Sequence, residues 1–167
     1  MEIRHERPED AATIRALTDA AFIGMPFSDQ TEGLLVDALR AAGGMTLSLV
    51  AARDGEILGH ISFSAIRIDG QETDWHQLSP VSVWPALQRA GIGQALIRDG
   101  LARLMSAGAG GCVLLGDPRY YRRFGFESVP DLYYPHAPAW AFQQLTLRGP
   151  RPSGEVSFHP VFQLPSE

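Results

Sequence analysis

Gln88-Arg89-Ala90-Gly91-Ile92-Gly93 sets two glycines where an amphipathic helix begins, and the chemistry open to such a turn is anion binding. The first backbone N–H groups of a helix have no intrahelical partner, and the helix dipole adds partial positive charge there. Glycine lets a diphosphate come close to those donors, and Arg89 can add a charge-assisted contact. The spacing alone is modest, because Gly91 and Gly93 would equally let the helix pack closely on a sheet. Its surroundings add weight: an apolar strand and Pro85 precede it, and Ile92, Ala95, Leu96, Leu101, Leu104 and Met105 follow at helical spacing. Two other phosphate patterns are missing. The sequence has no GxxxxGK[ST] and no lysine at all, which excludes a P-loop, and it has no GxGxxG dinucleotide turn.

Other reactive groups offer less. Cys112, the one cysteine, lies in the apolar run "GCVLLG", which suits a buried inert thiol better than a nucleophile and excludes an internal disulfide. The histidines at 5, 60, 76, 136 and 159 form no HxxxH or HxH pair, so metal chemistry has no support.

The elements that must carry the turn can be read in order. Glu2–Arg4 is a short strand, and Pro8 opens a helix running to about Phe22, with Ile14, Leu17 and Ala21 on its buried stripe. Asp29 with Glu32 predicts a capping box for a second helix, which Gly43 and Gly44 end. "TLSLVAAR" and "EILGHISFSAIRI" form a hairpin about Asp54-Gly55, and Asp69-Gly70 turns into a third strand through "HQLSPVSV". Pro80 removes a ladder donor there, predicting a bulge or local splay. After the helix that begins past Gly91, "CVLLG" is a strand buried on both faces, "DPRYYRRF" a brief helix, and Gly125-Phe126 the turn into another strand. "AFQQLTLR" and "GEVSFHPVF" supply late strands, with residues 130–138 as an irregular connection. One α/β domain over residues 1–167 follows.

Bulk properties narrow the class. A chain of 167 residues can bury a real core, and its 45% hydrophobic content is ordinary for a soluble protein. Its apolar runs are too short for a membrane span, and the polar start has no signal-peptide core, so a cytoplasmic protein without membrane contact is expected. A formal net charge of −5 argues against a nucleic-acid partner. All 14 basic residues are arginine, and asparagine is absent.

The segments "LSPVSVWPALQRAGIGQALI" and "YRRFGF" resemble the GNAT superfamily of acetyl-coenzyme A-dependent N-acetyltransferases: its strand, proline, pyrophosphate turn and helix, and its Tyr-x-x-x-Gly-Phe segment. The β-α-α-β-β-β-α-β-α-β order agrees along nearly the whole chain, and "GDPRYYRRFGF" is similar to a small bacterial subgroup of uncharacterised acetyltransferases. The resemblance implies a mixed, largely antiparallel twisted sheet flanked by helices, with a splayed pair of parallel central strands. It further implies acetyl-CoA as cosubstrate and no metal. Val81, Ser82 and Val83 correspond to the strand whose backbone bonds the pantetheine arm, and one of its N–H groups to the polariser of the thioester carbonyl. Gln88, Arg89, Ala90, Gly91, Ile92, Gly93 and Gln94 correspond to the pyrophosphate turn. Tyr121 corresponds to the general acid that protonates the coenzyme A sulfur. A phenol with a pKa near 10 is still protonated at neutral pH and can do so, although packing with Tyr120 and Phe124 also explains it.

The base is left open among Asp74 and His76, just before the cofactor strand, and His60, for which a hydrogen-bonded core histidine is the plainer reading. Asp29 and Glu32 act as helix-start residues and also rim the acceptor pocket if the family pattern holds. One departure stands out. Many members carry an asparagine after the fifth strand, whereas this chain has "GDP", in which Asp117 caps the short helix with Pro118 at its first position. Arg119, Arg122 and Arg123 are read as solvated surface residues rather than phosphate ligands. The expected activity is acetyl transfer to a primary amine of a small molecule or peptide. The alternative is an acyl-CoA-binding or regulatory module without chemistry, and a longer acyl group or an alcohol acceptor is a third reading. Pairing of the late strands across a homodimer and an ordinary sheet edge are both open.

Overall fold

A computed structural model describes residues 1–163. Strand β1 (Glu2–His5) leads to helices α1 (Ala11–Phe22) and α2 (Glu32–Ala41), then to β2 (Met45–Arg53), β3 (Glu56–Ile68) and β4 (Gln71–Val83). Helix α3 (Ile92–Ser106), β5 (Gly111–Leu115) and the short α4 (Pro118–Tyr121) follow, then β6 (Leu132–Tyr133), β7 (Phe142–Thr146) and β8 (Gly154–Ser157), with a 3-10 turn at Pro160–Gln163 after them. The eight strands form an open sheet in the order β1-β2-β3-β4-β5-β7, antiparallel along this path except for the parallel β4–β5 pair. Strand β8 pairs with the end of β3 and carries β6 beside it.

Both hairpins have positive φ at their two central residues, 52° and 80° at Asp54-Gly55 and 50° and 75° at Asp69-Gly70. That geometry matches the twist of the flanking strands, so Asp-Gly sets the register of the β2–β3–β4 meander. Within β4, Ile61 faces Val81 but Phe63 faces Leu78, so Ser79 and Pro80 together oppose Ser62 alone. This is the expected bulge, held by the Ser62 hydroxyl donating to Ser79 O at 2.8 Å.

Helix α3 covers one face of the sheet, over Leu49, Ile61, Phe63, Val83, Cys112 and Leu114. The opposite face carries two separate apolar clusters. Ile14, Val36 and Val50 lie under α1 and α2, and Ile66, Trp75, Val113, Leu132, Phe142, Val156 and Phe158 lie under the late elements. Strand alternation places the buried polar residues His60, Ser62, Ser64, Gln77 and Ser82 on this second face.

Two local expectations are corrected. Asp29 and Glu32 do not form a capping box: Asp29 Oδ1 accepts from Thr31 N and Oγ1 at 3.2 and 2.5 Å, while Glu32 accepts from Ser28 Oγ. A turn at Gln30, φ 65°, keeps Asp29 off the first helical amides. Directly after Gly125-Phe126 no strand forms before β6. Glu127 makes only a single bridge to Gln144, and the next carbonyl, Phe142 O, accepts from the Ser128 hydroxyl at 2.7 Å instead of from a strand amide.

Candidate active site

The site is a gap inside the sheet. Strands β4 and β5 pair only over Trp75–Gln77 and Gly111–Val113, after which the bulge carries β4 away. Beyond it β4 still pairs with β3, Gly59 to Val83, His60 to Ser82 and Ile61 to Val81. Trp84 N–H donates to Leu58 O at 3.2 Å, which by alternation makes His60–Ser82 a hydrogen-bonded pair. Val81 and Val83 therefore turn their N–H and C=O groups away from β3, toward the gap. Gln88 Nε2 reaches back to Val83 O at 3.1 Å, which fixes the direction of that carbonyl and ties the turn to the strand.

At the end of this open segment the chain enters the glycine turn. Arg89 and Gly91 both lie in the left-handed region, φ 66° and 87°, with Gly91 as the residue that caps α3. The first intrahelical bond is Ala95 N–H to Gly91 O at 3.0 Å, so the amides of Ile92, Gly93 and Gln94 have no acceptor within the helix. A Cβ placed on Gly91 would meet no atom within 4 Å. The turn thus offers three amide donors without a helical acceptor beside open space at Gly91, chemically fit for a diphosphate.

The two adjacent tyrosines divide. Tyr120 points its hydroxyl at the turn, 3.8 Å from where a Cβ on Gly93 would lie, whereas Tyr121 packs inward on Gly116, just past β5. Tyr121 meets Phe126 edge to face at 6.1 Å, and burial pushes its phenol above the usual range, so it holds its proton at neutral pH. Tyr120 is one functional candidate that the sequence treats only as packing. Asp117 caps α4 as expected, accepting from Arg119 N at 2.9 Å, and Arg119 pairs back onto Asp117 at the surface. Arg123 lies 4.4 Å above the Tyr120 ring, and Arg98 of α3 lies 4.9 Å above Phe124. The Arg98 stack joins α3 to the tyrosine segment, and the Arg123 stack lies within that segment.

The base candidates are scattered. Asp74 lies where β4 and β5 are still joined, its carbonyl accepting from Gly110 N, about 20 Å along the strand from Val81. His76 pairs with Cys112 on the α3 face, and burial lowers its pKa against the opposing charge of Asp74. His60 is fully buried on the other face, directly across from Ser82. Its Nε2 is 2.8 Å from Ser48 Oγ and 3.7 Å from Glu6 Oε1, and Arg40 grips Glu6 at 2.7 and 3.2 Å. Nothing in the local sequence joins Glu6, Arg40 and Ser48 to His60; only the alternation of Ser48 and His60 within apolar strands hints at it. Of seven buried side-chain polar atoms without a partner among the described residues, five are on β3 and β4: His60 Nδ1, Ser64 Oγ, His76 Nδ1, Gln77 Oε1 and Ser82 Oγ. Native proteins rarely leave such groups unpaired; of the five, only His60 Nδ1 and Ser82 Oγ flank the gap, while Ser64, His76 and Gln77 lie where β4 is still joined to β5.

Among the described residues no group of three His, Cys, Asp or Glu side chains is arranged to hold a metal, and no helix is long and apolar enough to cross a membrane. Residues 46–128 match the family model described as acetyltransferase (GNAT) domain. The chain is 38% identical over 128 residues to the uncharacterised N-acetyltransferase YhbS of Escherichia coli K12, covering 76% of this chain and 74% of the relative. Two solved structures are similar throughout. A GNAT family acetyltransferase from Brucella melitensis in complex with acetyl-CoA has 53% identity and a TM-score of 0.87, covering 96% of this chain and 97% of that one. YhbS of Escherichia coli in complex with CoA has 34% identity and a TM-score of 0.88, covering 98% and 92%.

Proposed function

The chain belongs to the GNAT acetyltransferase family, and from that premise we propose that it moves the acetyl group of acetyl-CoA to a primary amine of a small molecule or peptide by direct attack. The eight-stranded sheet supports reading the chain as one acyltransferase domain. The observation that carries the proposal is the continuous path from the gap-facing backbone of Val81 and Val83 to the amides after Gly91 that have no helical acceptor.

In this reading the amides of the Gln88–Gln94 turn, with Arg89 beside them, bind the diphosphate. Val81, Ser82 and Val83 present the strand edge along which the pantetheine arm lies, and an N–H of Val81 or Val83 polarises the thioester carbonyl. The amine nitrogen attacks the carbonyl carbon, the C–S bond breaks, and Tyr121 gives its proton to the sulfur. The buried phenol suits this step, since it stays protonated until a thiolate forms beside it.

Acetyl-CoA is expected to raise the melting temperature, and Gly91→Glu to abolish that rise by straining a positive-φ site and placing a carboxylate where the diphosphate sits. No rise at millimolar acetyl-CoA would defeat the proposal. Thiol release with a panel of primary amines tests the chemistry. Binding without release from any amine or peptide would favour an acyl-CoA-binding module instead.

A further inference from the structure

The turn from β5 into α4 is Gly116-Asp117-Pro118, and its glycine answers to a shortage of space. Gly116 lies outside the positive-φ region, so its backbone does not call for glycine. A Cβ there, however, would stand 2.5 Å from Tyr121 Cε2 and 2.8 Å from Cδ2. The turn is too short to avoid this contact. Tyr121 N–H donates to Asp117 O at 3.0 Å, so a single helical turn folds the tyrosine straight back over the end of the strand. Neither side has room to retreat. Gly116 N–H donates to Ala141 O at 3.0 Å, and its carbonyl accepts from Gln143 Nε2 at 3.1 Å. The Gln143 amide nitrogen also meets Ala141 O at 3.4 Å, and with two carbonyl oxygens before it the donor end of the amide must point this way. Tyr120, Phe124 and Phe126 enclose the Tyr121 ring at centroid distances of 4.9, 6.2 and 6.1 Å.

We infer that Gly116, clamped by Gln143, is the positioning residue that seats the Tyr121 phenol for proton transfer to the coenzyme A sulfur. The inference rests on the acetyl-transfer reading above. Gly116 directly follows Leu115, on the strand that forms one wall of the gap, so the ring it seats is held by the same backbone that opens beside β4. An alanine would have to push the ring back by about 1 Å to restore an ordinary carbon–carbon contact. A misplacement of that size is enough to cost about 100-fold in a step that depends on alignment. In that step the C–N bond forms, the C–S bond breaks and the phenol proton passes to sulfur. The proton shed by the amine goes to solvent, from which the phenolate regains one. Gln143 acts one contact further out, holding the Gly116 carbonyl while the Gly116 N–H is tied to Ala141. The short turn after β5 and the acid four residues beyond its aspartate are thus one device.

Gly116→Ala separates positioning from packing. With the most active amine of the panel it should lower kcat at least about tenfold, at unchanged acetyl-CoA affinity. In a Tyr121→Phe background the same change should cost less than about threefold more, because the phenol it misplaces is already gone. Wild-type kcat in Gly116→Ala, or a full second loss in the double variant, would overturn the inference. NMR of tyrosine labelled with carbon-13 at Cζ, followed to alkaline pH, needs no acceptor. Burial keeps the Tyr121 phenol protonated above the ordinary range, and Gly116→Ala should move its ionisation down toward about 10. An unmoved titration would mean an unmoved ring and would equally overturn the inference. If Gly116→Ala does not fold, Gln143→Met carries the test in milder form, with a kcat loss of about threefold to tenfold. Wild-type kcat in that variant would overturn the inference too. Absence of the acetyl-CoA melting shift in the wild type would defeat the transfer reading itself, a result distinct from all of these.

Discussion

Gly100 of α3 rests directly on the ring of Phe63: a Cβ on Gly100 would stand 2.6 Å from Phe63 Cε2. Phe63 is fully buried and cannot yield, so this contact sets how closely α3 approaches the sheet. Gly100→Ala should therefore destabilise the fold, because overpacking costs about 1–3 kcal/mol and the helix-propensity gain from alanine offsets at most about 1 kcal/mol. Thermal or urea denaturation checks the sign. A stabilised variant would show that the helix can lift without penalty.

The neighbouring tyrosines should separate binding from chemistry. Tyr121→Phe should reduce kcat about 100-fold with acetyl-CoA affinity unchanged. Tyr120→Phe should weaken acetyl-CoA binding about threefold to tenfold and leave kcat nearly intact, because its hydroxyl lies by Gly93. Calorimetry together with steady-state kinetics would distinguish the two. Equal effects on both parameters would count against the division.

Stability should fall on acidification from near neutrality. Burial lowers the His60 and His76 pKa values from an ordinary 6.5, so below that pH the unfolded chain binds protons that the folded chain refuses. Their contribution is present above about pH 6.5 and is lost as pH drops through the lowered folded values. Glu6, also lowered, adds a second loss below its ordinary 4.5. Melting temperatures recorded between about pH 8 and about pH 2, a range that takes in the histidine window and most of the carboxylate one, should decline in that order. His60→Gln should flatten the first part of the curve.

Cys112 should resist alkylation in the native protein. It is fully buried, and burial drives its pKa far above the thiol range, so the reactive thiolate is not formed. Intact mass after iodoacetamide treatment should be unchanged in buffer and should gain a single adduct in denaturant. Native labelling would mean that α3 leaves the sheet readily.

Much of this architecture is local in origin and so legible in the chain. Asp54-Gly55 and Asp69-Gly70 carry their turn geometry in their own backbone preferences, and Asp117-Pro118 carries its helix start. Gly91 is readable for the same reason, and Pro80 announces the departure of β4 because a missing donor is a property of one residue. Side-chain meetings across long separations are not encoded in this way. Glu6 reaches Ser48 and Arg40 only because β1, β2 and α2 converge, and no periodicity announces that convergence. The Asp29–Glu32 pattern misleads for a related reason: its spacing fits a cap, yet the backbone turns at Gln30 before the helix starts.

The opening between β4 and β5 creates a free strand edge in the interior of a sheet, the kind of surface that invites other polypeptides to add a strand. Here only the short Val81–Val83 stretch is offered, and Gln88 already occupies the Val83 carbonyl. An invading strand would find too few rungs to gain a foothold. The protein can therefore keep its sheet unzipped for a slender guest without becoming a template for its own aggregation.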